Sequence, residues 1–539
     1  MRSTRWLLGL VALAAGLRLF RLGAWDLGLD EAYSALVAAR PLTDLVAFVA
    51  RDDFHPPLYY AFLHVWRAAA GVDEFWLRFP NAVFGSLAVP VVYALGRELA
   101  DERAAFVTAL LLALSPLHVY HAQDLRMYAL LLLVGSLALL SFARGLRTGR
   151  AVDWALHAVF LALSFYTHYG AFLLVAAEAM TVAALRAARC PVPARSWAAS
   201  AGAGLLGFAP WAPVLLQALG RTAPGDSYGE ILLPLQQVAY ALVALTSDFL
   251  PLGQPVLKAA VLLVFCPAAL YGAWSLRNRP LSAVVLFASS LGVLAVAALV
   301  GLRFPKISVG THVLLPRTLL LASVGYLALV AVAITRARSR PLGLGLLAAL
   351  LLLNLSSLPR VYFGPRPLWG PWRAVATYVA QRVLPGDGIV VVSGHWARPF
   401  DFYFSQHRKP VRVVRYYGRQ DLELVRGLLR QSRRIWLVQR QPEAVDPYRR
   451  VQAHVRAARR SVSSATFETG IRVEVYGDGS PRASRQPDRG GRSPQRRDPP
   501  TCSPARGRTS VIRSDGFVRL EQDRQQSGGP RWRDGGGGG

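Results

Sequence analysis

The chain has 539 residues, 53% of them hydrophobic and only 17% charged, where a soluble globular protein carries about 25% charged residues. Its net charge of +29, carried by 58 arginines and three lysines, would suit a nucleic-acid binder, but it divides unevenly: +10 over 1–358, +13 over 359–476 and +6 over 477–539. An apolar first two thirds with a basic end argues against nucleic acid and against a purely soluble enzyme. It fits a polytopic α-helical membrane protein.

In chain order, apolar runs of about 17–25 residues, enough to cross a bilayer, predict eleven transmembrane helices. They lie near 5–21, 79–98, 104–121, 127–143, 151–168, 170–187, 198–217, 256–275, 281–301, 317–335 and 341–358. If the spans alternate, the clusters Arg144/Arg147/Arg150, Arg186/Arg189/Arg195, Arg277/Arg279 and Arg336/Arg338/Arg340 share one side. The positive-inside rule makes that side cytoplasmic, with the N-terminus inside and the C-terminal region extracytoplasmic. MRSTR before an apolar run would also read as a signal peptide, but the run continues past Ala15 to Phe20, which favours an uncleaved span.

Between these spans, residues 22–78 form a long first extracytoplasmic loop. Its apolar patches at 32–50 and 57–70 are too short to cross and are expected to lie in the interface as amphipathic or re-entrant helices. A second outer loop, rich in Pro and Gly, is expected at 218–255. Residues 359–476 read as a small extracytoplasmic α/β domain. It has helices at Trp372–Leu384 and Asp421–Arg430, and strands at Ile389–Ser393, Arg434–Val438, 461–467 and 471–476. From Gly477 to Gly539 the composition is that of a disordered basic tail. Cys190, Cys266 and Cys502 are too far apart and odd in number to suggest a disulfide framework or a zinc site.

Ionisable groups concentrate on the outer side. Loop one holds Asp26, Asp30, Glu31, Arg51, Asp52, Asp53 and His55. A carboxylate at a membrane surface can take a proton from an incoming hydroxyl, although Asp30-Glu31 also reads as an ordinary acidic helix start. The tight turn His121-Ala-Gln-Asp124-Leu-Arg126-Met-Tyr128 offers an arginine fork for phosphate, or a local Asp124–Arg126 pair or headgroup contact. His168 and Tyr169 sit in the next outer turn, where a histidine is commonly an interfacial anchor. Arg317, near Lys306 and Arg303, either binds an anion or snorkels. Arg78 faces the same side as Asp30 or meets headgroups. Glu178, mid-span, is read as a helix-to-helix hydrogen-bonding group.

Several runs together resemble glycosyltransferase family 39, which includes protein O-mannosyltransferases and lipid A aminoarabinose transferases. They are Asp30-Glu31-Ala-Tyr-Ser, His55-Pro-Pro-Leu-Tyr-Tyr60, Leu77-Arg78-Phe-Pro-Asn81, Ser115-Pro-Leu-His118, Gln123-Asp124-Leu-Arg126-Met-Tyr128 and Thr167-His168-Tyr169. The resemblance is dense over 22–190 and weaker to about 335. It implies a GT-C fold, a polyprenyl-phosphate sugar donor entering from the lipid, and a glycan, glycolipid or protein hydroxyl as acceptor. It implies Asp30 as general base with Glu31 as supporting partner, and inversion at the anomeric carbon. Arg126, with Arg78 and Arg317, would bind the donor phosphate, and His55, Asp124, Tyr128, His168 and Tyr169 would line the substrate pocket. Asp124 stands where family members more often show Glu, and Ser34 where Thr is common. No cofactor is required by the pattern; a divalent metal is compatible with the Asp and His content of loop one, but no metal ligand is assigned.

A polytopic lipid or sugar transporter or flippase is the alternative from another class. The sequence shows no internal repeat, and its polar groups gather outside rather than at mid-membrane. A non-enzymatic assembly protein whose basic domain binds a wall polymer is a third reading.

Overall fold

The computed structural model describes residues 2–220, 234–250, 254–303, 315–364, 370–394 and 397–477. Lys306, the side chain of Arg303 and the tail from residue 478 onward lie outside them.

Helical segments stand at each of the eleven places where apolar runs predict spans. They begin with α1 (Arg2–Leu19). After it, loop one folds as α2 (Leu29–Ala38), α3 (Leu42–Asp52) and α4 (Leu58–Ala70). Next come α5 (Glu74–Leu99), α6 (Glu102–Leu114), α7 (Pro116–Ala122), α8 (Tyr128–Thr148), α9 (Ala151–Thr167), α10 (Phe172–Ala187), α11 (Ala194–Phe208) and α12 (Ala212–Gly220). The remainder of the bundle is α13 (Pro234–Ser247), α14 (Pro255–Ser275), α15 (Pro280–Phe287), α16 (Val293–Arg303), α17 (Leu320–Thr335) and α18 (Arg340–Phe363). Among the described residues, seven helices are long and apolar enough to cross a membrane, or eight if α6 and α7, bent by 57°, form one span. The helices α9 and α17, of 17 and 16 residues, are apolar but shorter, and α1 carries Arg2, Arg5 and Arg18. Length and composition therefore support seven or eight of the eleven.

Two segments differ from expectation. The patch 32–50 is two helices rather than one, because Arg40-Pro41 breaks it and Pro41 opens α3. Part of the expected outer loop 218–255 is the apolar helix α13, packed on α14 and α17. Its flanking Pro and Gly masked a short apolar run.

The bundle packs around α17, whose residues from Leu320 to Ile334 are almost all buried. A helix that is apolar all round belongs in a bundle's centre. The helices α5 and α6 approach closely at Gly96, where a Cβ would lie 2.7 Å from the Ala105 Cα. At that end of the bundle, the arginine clusters meet the loop after α5. Arg147 donates to Glu98 (3.0 Å), Arg279 to the Ala100 carbonyl (2.8 Å) and Arg336 to Asp101 (3.3 Å). Along α5, Arg78 and Glu98 are separated by twenty residues, or about 30 Å of helix, which matches a bilayer's hydrocarbon thickness. The ionisable residues of loops one and three therefore lie at the other end.

The C-terminal region is a five-stranded mixed sheet with order β2-β1-β3-β5-β4. Its strands are β1 (Gly388–Val392), β2 (Arg412–Tyr416), β3 (Arg434–Gln439), β4 (Arg460–Thr466) and β5 (Arg472–Gly477). The central β1 pairs in parallel with β2 and β3, while β5 runs antiparallel to β3 and β4. Helices α19 (Trp372–Arg382), α20 (Ala397–Ser405), α21 (Leu422–Gln431) and α22 (Arg450–Ala458) accompany the sheet. Gly477, expected to begin the tail, is the last residue of β5. This α/β region is part of the same compact unit as the bundle, which runs Met1–Gly479.

Asp387, in the turn before β1, holds the start of this sheet together. Its carboxylate accepts from the Leu384 N–H (2.9 Å), Arg434 Nη2 (2.6 Å) and Trp436 Nε1 (3.0 Å). Burial pushes its pKa up, but these donors outweigh that and hold it below the ordinary carboxylate value. Asp387→Ala leaves several buried donors unmatched and is expected to destabilise the domain by about 2 kcal/mol. Limited proteolysis of the detergent-solubilised chain, reading cleavage between residues 370 and 477, checks this.

Candidate functional site

The site is built where loop one folds over the ends of α5 and α8 that lie away from the arginine clusters. Its foundation is the Glu31–Arg78 pair. Glu31 is 2% exposed and Arg78 is 1% exposed. Arg78 Nε and Nη2 each donate to one Glu31 oxygen at 2.7 Å, a bidentate contact. Glu31 also accepts from the Gly28 N–H (2.9 Å), starting α2, and from the Leu125 N–H (3.0 Å) of loop three. The remaining Arg78 donors satisfy the carbonyls of Leu22, Trp25 and Asp26. Arg78 thus spends its donors inside the fold, which disfavours it as a donor-phosphate ligand, and both Glu31 oxygens are occupied by hydrogen bonds, the setting of a supporting rather than a reacting group.

One residue earlier, Asp30 has a different setting. It is partly buried in the first turn of α2. Among the described residues, its carboxylate makes no hydrogen bond; only its backbone carbonyl does, to Ser34 Oγ (3.0 Å) and Arg126 Nη1 (3.5 Å). Burial works against its charge, but Arg126, Arg317, His55 and Arg398 together hold its carboxyl below the ordinary value. It is an ionised carboxylate in a cationic field with its oxygens uncommitted.

Arg126 faces it. Only 4% exposed, it donates from Nη1 to Ser34 Oγ (3.2 Å) and Tyr60 Oη (3.4 Å), and its Nη2 lies 3.3 Å from His55 Nε2. Since arginine can only donate, His55 Nε2 accepts and His55 Nδ1–H donates to Asp53 Oδ1 at 3.0 Å. Burial would raise Asp53, but the bond to His55 and nearby cations bring it down to about 2. Arg126 forms no ion pair with Asp124, against the local-pair reading. Loop three is a tight turn in which the Arg126 N–H donates to the Asp124 carbonyl (2.8 Å). Asn81 braces that turn from α5, its Nδ2 donating to the Asp124 carbonyl, the Arg126 carbonyl (2.8 Å) and Tyr59 Oη (2.9 Å).

Of the remaining expected pocket residues, His168 and Tyr128 come together with His55, their rings 5.6–5.8 Å apart in sequence His55–His168–Tyr128. The Asp124 carboxylate lies 3.8 Å from His121 Nδ1, and burial pushes its pKa up. Arg317, before α17, acts electrostatically on Asp30 and Tyr128. The Tyr169 hydroxyl accepts from Trp211 Nε1 (3.0 Å) and its ring packs on Phe208.

The α/β region supplies a further wall. Tyr403 Oη accepts from the Leu27 N–H and donates to Glu74 Oε1, both at 2.6 Å. The Arg373 N–H donates to Asp26 Oδ2 (2.9 Å), and its side chain pairs with Glu74. Arg398 stacks over Tyr33, 4.3 Å from the ring centroid. Ser34, Asp53, Tyr60, Asn81 and Arg398 thus enter the site unassigned by sequence reasoning. The motifs contained most of them, whereas Arg398 lies in a segment without any recognisable pattern. No group of three or more His, Cys, Asp or Glu among the described residues is arranged to hold a metal ion.

Comparison with known proteins agrees with this architecture. Residues 54–217 match the dolichyl-phosphate-mannose-protein mannosyltransferase family. That stretch includes His55, Arg78, Arg126 and His168 and leaves out Asp30. No curated protein sequence matches the chain significantly. Among solved structures, ArnT from Cupriavidus metallidurans in the apo state is similar with a TM-score of 0.58 and 16% identity, over 88% of this chain and 98% of that one. ArnT bound to undecaprenyl phosphate gives 0.57 and 15% over the same shares. The archaeal oligosaccharyltransferase AglB from Archaeoglobus fulgidus, in complex with an inhibitory peptide and a dolichol-phosphate, gives 0.52 and 14%, over 89% and 74%. The likeness to these solved structures is one of fold, the GT-C fold, and the partial match to a mannosyltransferase family is in keeping with the resemblance to family 39.

Stability separates the two adjacent carboxylates. Glu31→Gln leaves the Arg78 cation buried without its counter-charge and is expected to cost about 3–5 kcal/mol. Asp30→Asn breaks no side-chain bond and removes only the attraction of that carboxylate to the neighbouring cations, so it should lower thermal stability clearly less than Glu31→Gln. Equal losses in the two variants would refute this division of roles.

Proposed function

From the GT-C fold and the mannosyltransferase-family match, we propose that this protein transfers a sugar from a polyprenyl-phosphate-linked donor to an acceptor hydroxyl on the extracytoplasmic face. The observation that carries the reading is the Asp30 carboxylate, held in its charged form and free of hydrogen bonds among the described residues, in the field of Arg126 and Arg317. Asp30 takes the acceptor's proton as its oxygen attacks the anomeric carbon. The bond from that carbon to the phosphate oxygen breaks on the opposite side, with inversion. The leaving polyprenyl phosphate carries the electron pair away, and Arg126 and Arg317 stabilise the charge that develops on it. Fixed guanidinium groups in a water-poor pocket need no reorganisation as that charge grows. The undecaprenyl phosphate in ArnT and the dolichol-phosphate in AglB are consistent with a lipid-phosphate ligand for this fold.

Asp30→Asn is expected to lower turnover of labelled polyprenyl-phosphate sugars by about 10²–10⁴-fold. Retained turnover would remove Asp30 as base. A low pKa keeps Asp30 competent at neutral pH, and activity falls only as pH drops through that pKa. Donor phosphate offsets the surrounding cations, so Asp30 should protonate more readily in the loaded enzyme. The acid limb of kcat should therefore lie at higher pH than that of kcat/KM, which a pH–rate profile reads directly.

The proposed orientation puts the arginine clusters in the cytoplasm and the α/β region outside. In a background lacking native cysteines, a membrane-impermeant maleimide should label Glu423→Cys in intact cells, and Arg147→Cys only after permeabilisation. The reverse pattern would invert the topology.

A further inference from the structure

Arg18, near the outer end of α1, is 0% exposed. A buried cation is costly, and one inside a membrane bundle marks a task. Arg18 places its donors on main-chain carbonyls. Its Nη1 donates to Ala14 O and Ala113 O, both at 3.1 Å, and its Nη2 to Leu112 O at 3.3 Å. Leu112 and Ala113 belong to the last turn of α6, just before Ser115-Pro116. In an unbroken helix the N–H groups of residues 116 and 117 would bond these two carbonyls. Pro116 has no N–H and its ring obstructs the preceding turn, so the ladder opens and the chain bends by 57° into α7. The Arg18 guanidinium occupies the two vacated acceptors.

The other end of α7 returns to the same residue. Gln123 Nε2, just past α7, donates to the Arg18 carbonyl (3.0 Å) and the Phe20 carbonyl (2.7 Å). Gly85 of α5 lets these parts close up: a Cβ there would lie 2.7 Å from Ala122 Cβ and 3.0 Å from Arg18 Nε. Three residues beyond Gln123 is Arg126. We infer that Arg18 is the positioning residue of the lipid-phosphate site: by bridging the break at Pro116 and anchoring Gln123, it fixes the direction of α7 and hence where the Arg126 guanidinium stands. The inference rests on the reading of Arg126 as a phosphate ligand.

Binding of undecaprenyl phosphate to the purified full chain in nanodiscs tests it, with thermal unfolding measured alongside. Arg18→Met should weaken binding about tenfold. Arg18→Lys, which can still donate to both carbonyls, should recover most of the loss. Pro116→Ala restores a donor to the α6 ladder and should also weaken binding, because the bend relaxes. Adding Arg18→Met to Pro116→Ala should then cost less than about twofold more, since the acceptors are already taken. A variant merely loosened by losing a buried charge would show multiplied losses in the double variant and binding that falls in step with thermal stability, and either result overturns the inference. If Arg18→Met does not fold, Gly85→Ala presses on the same contact without removing the charge and should reproduce the loss. Wild-type binding in Arg18→Met, beside lost binding in Arg126→Gln, would also overturn it. Wild-type binding in Arg126→Gln would instead remove the phosphate reading of Arg126, and this inference with it.

Discussion

The end of the bundle opposite the arginine clusters depends on one buried ion pair. Glu31 and Arg78 are 47 positions apart in sequence, yet they join the start of α2, the turn of loop three and the first turns of α5 through a single carboxylate and guanidinium. Such a pair holds only when every remaining donor and acceptor is satisfied, because the desolvation cost of each charge is large. Here two backbone N–H groups complete the carboxylate and three carbonyls complete the guanidinium. The result is a rigid floor beneath Asp30. The Asp30 carboxylate, proposed above as the base, stands beside neighbours whose polar groups are fully committed.

The cationic groups are organised by the same logic. Arg126 is held by neutral partners, the hydroxyls of Ser34 and Tyr60 and the accepting nitrogen of His55. None of these cancels its charge. An arginine already locked to a carboxylate, as Arg78 is, has little field left for a ligand. The difference between a structural and a ligand-binding arginine lies in the charge of its partners, and not in its burial, since both are buried.

This distinction explains how much could be read from sequence. The apolar runs, the arginine clusters and most of the α/β elements were legible because each is a local pattern. The motifs also brought Asp30, His55, Arg126, Tyr128 and His168 to one place. What the motifs could not disclose is which charged residues are used up by one another, because the partner of Glu31 lies in another helix. The hydrogen bond between Tyr169 and Trp211, 42 residues away, was invisible for the same reason. The edge strand β2 escaped notice because its two valines stand between Arg412 and Arg415, too short an apolar run to signal a strand. Helix α13 was hidden by the Pro and Gly around it.

Contact between the α/β region and loop one carries a consequence for how the protein is made. The Leu27 N–H bonds to a tyrosine 376 residues later. At about 5–20 residues per second, roughly 20–75 s of synthesis separate these two partners. During that interval the bundle can insert while loop one lacks its outer wall, and Glu74 and Asp26 lack the arginine that later neutralises them. The newborn chain therefore has a window in which its charged first loop is incomplete. Membrane insertion and maturation of the site are separate events, and the α/β region, emerging after the bundle, closes the second.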